Sequence, residues 1–166
     1  DSWSAGYVTD VEYTTKFYPF MAPSYLDFVA LLQGFLPPGS GEGATYCELG
    51  CGQGYGTNIL PAGNPQMSFW GLDFNPAHIS YAKRMADDGK LTNIHFADYS
   101  FEQALSLPAG DLPQFDYITI HGVYSWVSAE NRRLIVEFID RYLKPGGIVY
   151  ISYNALPGWS AAAPLQ

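Results

Sequence analysis

The stretch Tyr46-Cys47-Glu48-Leu49-Gly50-Cys51-Gly52-Gln53-Gly54-Tyr55-Gly56 decides the fold. It reads as the end of a buried strand, a glycine turn and the start of a helix. Ala44 to Leu49 run extended into the core. Gly50, Gly52 and Gly54 allow positive φ and bring no Cβ that would hold a ligand off the backbone. The N–H groups of the helix start then face whatever lies over the turn. In an open α/β sheet, the turn after the first strand is where nucleotide-like cofactors bind. The spacing is G-x-G-x-G, not the G-x-G-x-x-G of dinucleotide folds. Taken alone, the same letters also suit a glycine-rich surface turn.

Upstream, residues 1–21 carry Trp3, Tyr7, Tyr13, Phe17, Tyr18 and Phe20 without periodicity. They read as an irregular arm with one helical turn, covering core surface or serving as a lid over a ligand. Pro23 and Ser24 open a helix to about Gly34, with Leu26, Val29, Ala30 and Phe35 on its inner face. Residues 37–43, rich in Pro and Gly, form a loop.

Downstream, a short helix is closed by Pro61, Gly63 and Pro65. A second strand, Gln66 to Phe74, passes Asp73 at its end. Asn75 caps the next helix, and Pro76 takes its first position. Ile79, Ala82, Lys83 and Ala86 continue that helix to about Gly89. A third strand, Asn93 to Ala97, stops at Asp98, and Ser100 caps a helix to about Leu105. Phe115 to His121 form a fourth strand. Ser128 caps a helix with an inner stripe of Leu134, Ile135, Phe138, Ile139 and Tyr142. Lys144-Pro145-Gly146-Gly147 reads as its end, and Ile148 to Tyr153 as a fifth strand.

This alternation predicts an α/β fold, a Rossmann-like open parallel sheet with right-handed crossovers. The strand order is 3-2-1-4-5, with the switch point between strands 1 and 4. Asp73, Asp98 and His121 then converge with the glycine turn on one edge. Residues 1–43 form the N-terminal arm and helix, and 44–166 the core.

Composition narrows the function. The 166 residues are 48% hydrophobic, 16% aromatic and only 14% charged, as in a packed globule. The net charge of −8 and the lack of any Lys/Arg run argue against nucleic acid as a partner. No apolar run is long enough for a membrane span, so no membrane partner is expected. No signal peptide is visible, and a reducing cytoplasm is the expected compartment. Cys47 and Cys51 read as free thiols, and no metal is expected.

Glu48-x-Gly50-x-Gly52-x-Gly54, Asp73, Asp98 and Leu143-Lys144-Pro145-Gly146-Gly147 together resemble a class I S-adenosylmethionine-dependent methyltransferase. The resemblance runs from about Ala44 to the end. His121-Gly122-Val123-Tyr124-Ser125-Trp126-Val127 and Ser152-Tyr153-Asn154-Ala155-Leu156-Pro157-Gly158-Trp159 resemble a narrower group. These are bacterial methyltransferases with a C-terminal regulatory domain, similar to rickettsial-type protein-lysine methyltransferases.

The resemblance implies S-adenosyl-L-methionine as cofactor. It implies cofactor contacts from Glu48, Gly50, Cys51, Gly52, Asp73, Phe74, Asp98, Tyr99, His121 and Gly122. Asp73 suits the ribose hydroxyls, as two charge-assisted bonds. Asp98 suits the adenine amino group, with Tyr99 or a backbone N–H against the ring. Glu48 orients the turn from beneath. A lysine acceptor would need to lose its proton first. His121, Tyr124 and Tyr153 are candidates for that side of the site, His121 more readily as a structural hydrogen-bond partner. Tyr124 and Trp126 could flank a cation or wall a pocket. The acceptor is a protein or a small molecule. Two other functions remain open at this point: a non-catalytic module holding the same ligand, and an NAD-type oxidoreductase, which G-x-G-x-G and Asp98 disfavour. The C-terminal β-hairpin and regulatory domain of the resembled proteins are missing. From that we expect a weakened, incomplete enzyme whose fifth strand offers an unpaired apolar edge for homodimerisation.

Overall fold

The computed structural model describes residues 16–160. The expectations for Trp3, Tyr7 and Tyr13 lie outside them. Five strands form one parallel sheet in the order β3-β2-β1-β4-β5. They are β1 (Thr45–Leu49), β2 (Ser68–Asp73), β3 (Ile94–Asp98), β4 (Phe115–Ile120) and β5 (Leu143–Ile151). The helices are α1 (Pro23–Leu32), α2 (Tyr55–Gly63), α3 (Pro76–Asp88), α4 (Phe101–Ser106) and α5 (Ala129–Tyr142). A single 3-10 turn, Pro19–Met21, precedes α1.

Strand alternation sorts the core into two faces. Cys47 and Leu49 of β1 and Ile118 and Ile120 of β4 pack with Ile135, Phe138 and Tyr142 of α5. Tyr46, Phe69 and Tyr117 point the other way, against Leu26 and Leu60. Buried among them, Tyr46 Oη and Thr119 Oγ1 share a hydrogen bond of 2.8 Å. Both cysteines are free.

The three expected caps are present, each accepting from a backbone N–H: Asn75 from Ala77, Ser100 from Gln103 and Ser128 from Asn131. Each cap begins a helix directly beyond a strand or loop at the carboxyl edge. Register there places Leu49 beside Leu72 and Asp73 beside Asp98.

Three local expectations fail. In α1, Leu26 is buried, but Val29 is 39% exposed, and Phe35, beyond the helix end at Leu32, is 69% exposed. Phe28, Leu31 and Leu32 are exposed as well. Apolar residues surround this helix, so no single stripe marks its docked face. It docks through Pro23 and Leu26, and Asp27 ties it down by accepting from Tyr117 Oη at 2.6 Å and Ser40 N at 3.2 Å.

Pro61 does not close α2 but lies inside it. It forfeits only its own N–H there, and its carbonyl accepts from the Asn93 side chain at 3.2 Å.

Lys144-Pro145-Gly146-Gly147 is no helix end either. The chain is already extended at Leu143, and these residues form the first half of β5. The register shifts between Phe115 and Tyr117, which marks a bulge. Lys144 Nζ meets Asp116 Oδ2 at 2.8 Å on β4, not the helix carbonyls. The strand stops at Ile151, two residues before Tyr153. β5 is the sheet's edge, and the Phe20 ring lies 5.8 Å from that of Tyr150 on it.

Candidate functional site

The glycine turn is held from below by β2. Gly50 N and Cys51 N both donate to Leu72 O, at 2.7 and 3.2 Å. Gly52 N donates to Asp73 Oδ2 at 2.9 Å. These three N–H groups are therefore spent on the protein; the N–H groups expected to face a ligand are those of the helix start, beyond Gly54. The glycines also serve packing. A Cβ on Gly50 would come 2.5 Å from Val123 Cγ2, and one on Gly54 would come 2.5 Å from the Ala82 Cβ. The approach they permit is of side chains from the flanking elements. The first turn of α2, which follows Gly54, has no side-chain cap.

Asp73 is 4% exposed and works in two directions. Oδ2 holds Gly52, and Oδ1 accepts from Asn75 N at 2.9 Å. One carboxylate thus joins the glycine turn to the start of α3. His78 Nδ1 stands 3.3 Å from the same Oδ1. Two histidines, His78 and His121, thus stand at this edge. His78 escaped the sequence reading, although its place in the first turn of α3, five residues after Asp73, carries the signal.

Glu48 is buried beneath the turn, as expected. Thr57 Oγ1 donates to its Oε2 at 2.5 Å. Burial pushes the Glu48 carboxyl up to about 7, against the lowering effect of Thr57 and with a further rise from the Asp73 charge.

Two hollows open along this edge. One, of about 180 Å³, is lined by Glu48, Cys51, Gly52, Tyr55, His121 and, from the arm, Lys16 and Tyr18. The other, of about 40 Å³, is lined by Asp73, Phe74, Tyr99, Val123 and Trp126. Gly50 and Gly122 line both, so the two hollows meet over the turn. Nine of the ten expected cofactor contacts line this bipartite cleft. Asp98 does not: it ends β3 beside Asp73 but its side chain is exposed. The edge strand turns it outward, whereas the next residue, Tyr99, faces in.

His121 follows β4 directly. Its ring packs 4.0 Å from the Tyr18 ring, centroid to centroid, and its Nδ1 lies 3.2 Å from Tyr150 Oη. The structural hydrogen bond expected of it is present. Burial, and then the Lys16 charge, push its pKa below the usual 6.5. The imidazole is therefore neutral at pH 7. Tyr124 and Tyr153 are elsewhere. They line a third hollow of about 230 Å³ with Ser125, Arg132 and Asn154. Trp126 lies in the smaller hollow, with Asp73, and not with Tyr124.

Comparison with known proteins follows this geometry. Residues 40–163 match the family described as "Methyltransferase domain". The chain is 47% identical over 165 residues to the uncharacterised protein sll1526 of Synechocystis, covering 99% of this chain and 32% of that one. It is 35% identical over 153 residues to the uncharacterised protein RP028 of Rickettsia prowazekii, covering 91% of this chain and 58% of that one. Among solved structures it is similar to PKMT2 from Rickettsia typhi in complex with AdoHcy. That likeness has a TM-score of 0.81 and 34% identity, over 90% of this chain and 28% of the other. The chain thus spans about a third of sll1526 and rather more than half of RP028. A methyltransferase family match excludes the NAD-oxidoreductase alternative.

Proposed function

We propose that this chain, which belongs to the class I S-adenosylmethionine-dependent methyltransferase family, is the donor-binding part of an enzyme that N-methylates protein lysine side chains. The observation that carries the donor half is the bipartite cleft meeting at Gly50 and Gly122, with Asp73 in one arm and Glu48 in the other. The lysine half rests on likeness to PKMT2 and on the neutral histidine at the junction.

The residues fit the cofactor S-adenosylmethionine. When bound, it supplies a sulfonium methyl, an electrophilic carbon open to in-line attack. Asp73 would hold the ribose hydroxyls. Phe74 and Tyr99 would flank the adenine. Lys16 offers a positive charge to the carboxylate of the methionine end, in the same hollow that Glu48 lines. Tyr18 and Phe20 cover His121 and would exclude water from the junction.

A lysine ammonium has no lone pair, so its proton must leave before transfer. His121 is neutral and borders the hollow that Glu48 lines. With Nδ1–H donated to Tyr150 Oη, its Nε2 keeps a lone pair for that proton. Tyr150 then fixes the tautomer and the ring. Positioning supplies the rest of the rate, because the displacement itself asks little covalent chemistry of the protein.

Two measurements test this. Calorimetric titration should show binding of S-adenosylmethionine and S-adenosylhomocysteine but not of NAD. Incubating the longer polypeptide with methyl-labelled donor and cell extract should then place label on the ε-nitrogen of lysine after acid hydrolysis of protein. Label confined to nucleic acid, or to small molecules, would refute the acceptor.

A further inference from the structure

The third hollow is built from elements that leave the sheet on the acceptor side. Tyr124 and Ser125 follow β4, Asn154 and Tyr153 follow β5, and Arg132 projects from the first turns of α5. The segments are tied together. Asn154 N donates to Ser125 Oγ at 2.7 Å, and Gly122 N donates to Ser152 Oγ at 2.7 Å. Gly122 also borders both arms of the donor cleft, so this hollow begins two residues from it.

Its chemistry is that of a donor-rich cup. The Arg132 guanidinium lies 5.6 Å from the Tyr124 ring centroid, and its Nε donates to Tyr124 O at 3.0 Å. One ring and one carbonyl hold the fork in place. No carboxylate pairs with it among the described residues. The comparison within the molecule is informative: Arg133 and Lys144 are paired to carboxylates, and Arg141 donates to the carbonyls of Leu105 and Leu107. Of these four, Arg132 alone makes no hydrogen bond through its terminal nitrogens among the described residues. Beside it, the Asn154 Nδ2 amide is buried and makes no hydrogen bond. A buried amide left without a partner is uncommon and costs free energy unless something accepts from it. The Ser125 and Tyr153 hydroxyls add two more donors. A guanidinium fork with an amide and hydroxyls beside it matches the geometry of a carboxylate.

We propose that this hollow is an acceptor-side subsite that binds the carboxylate of an aspartate or glutamate side chain flanking the methylated lysine. The inference rests on the reading of the acceptor as a protein lysine. In a chain of net charge −8, a few unpaired cations are what attract an acidic segment to an otherwise repelling surface.

The test separates peptide binding from turnover. Lysine peptides carrying a neighbouring Asp, or Asn in its place, are titrated by calorimetry into the chain saturated with S-adenosylhomocysteine. The Asp peptide should bind at least about tenfold tighter, the factor of one charge-assisted contact. Arg132→Gln should erase that difference and leave the affinity for S-adenosylhomocysteine as it was. Asn154→Asp, which places a carboxylate in the cup, should erase it too, and it covers the case in which Arg132→Gln does not fold. Raising salt should narrow the difference between the Asp and Asn peptides. Equal binding of both peptides to the unaltered chain, or a preference that survives both substitutions, would overturn the inference. If the Asp preference holds but no lysine is methylated by the longer polypeptide, the subsite stands and the lysine reading falls.

Discussion

Under the proposed function Asp73 serves donor binding as well as local folding, and its removal should register in both. Asp73→Ala takes the acceptor from Gly52 N and from Asn75 N, each at 2.9 Å. An orphaned donor of this kind costs about 1–3 kcal/mol, so the ligand-free chain should lose roughly 2–5 kcal/mol. At this size that is a fall in Tm of about 5–15 °C. Binding loses the two ribose contacts, charge-assisted bonds of about 1.5–3 kcal/mol each, so affinity for S-adenosylhomocysteine should drop at least about a hundredfold. Asp98→Ala is the control. Its side chain is exposed and lines neither arm of the cleft, so Tm should move by less than about 2 °C and affinity by less than about tenfold. Asp73→Asn separates the two effects. It keeps one carbonyl oxygen for one of the two N–H groups but removes the charge. Scanning calorimetry gives the first quantity and isothermal titration the second. If Asp98→Ala weakens the ligand as much as Asp73→Ala, or if Asp73→Asn matches the unaltered chain in both, the assignment of the ribose to Asp73 is wrong.

Gly50→Ala should cost about 1–3 kcal/mol in urea denaturation, since its Cβ meets Val123 Cγ2 at φ +73°, and Val123→Ala should restore part of this. Gly122→Ala, whose Cβ meets nothing, should cost less. Glu48 keeps its proton to about pH 7, whereas an unfolded chain releases it near 4.5. Stability should therefore be fully held below pH 4.5, fall as pH rises to about 7, and lie on the order of 3 kcal/mol lower above it. Glu48→Gln should flatten that slope, and parallel curves for the two chains would disprove it. Tyr18→Ala uncovers His121, so the His121 pKa followed by NMR should rise toward 6.5; no change would show that the arm does not bury the ring. The outer edge of β5 should pair with a second copy at high concentration, and sedimentation as a clean monomer would count against that.

The sheet order and the site edge were legible because each depends on a pattern repeated along the chain. Apolar runs ended in Asp73, Asp98 and His121, and caps such as Asn75 and Ser128 marked where helices resumed. The misreadings occurred where one local pattern serves two structures. Lys144-Pro145-Gly146-Gly147 has the letters of a helix stop, but Asp116 across the sheet draws Lys144 into a bulged strand. In α1 the apolar residues leave no polar face to contrast with, so Val29 and Phe35 carry no directional signal. Arg132 and Asn154 meet only because α5 returns the chain beside β4, and no spacing along the sequence announces that.

The glycine turn shows how a motif can be read correctly for position and incompletely for cause. Its glycines were expected to make room for a ligand, yet Gly50 makes room for Val123 and Gly54 for Ala82 and Phe96. The N–H groups of Gly50, Cys51 and Gly52 are held by Leu72 O and Asp73, and the helix start beyond them, which was expected to face a ligand, has no side-chain cap. Rigidity is the more economical account. A turn pinned to the end of β2 leaves little backbone entropy to lose when a ligand settles over it. The same Asp73 that pins Gly52 also starts α3 through Asn75, so one carboxylate lining the smaller hollow fixes both the turn and the helix start beside it. Under the proposed function, such a preorganised turn would favour affinity, and the side chains around the cleft would supply the contacts that identify the ligand.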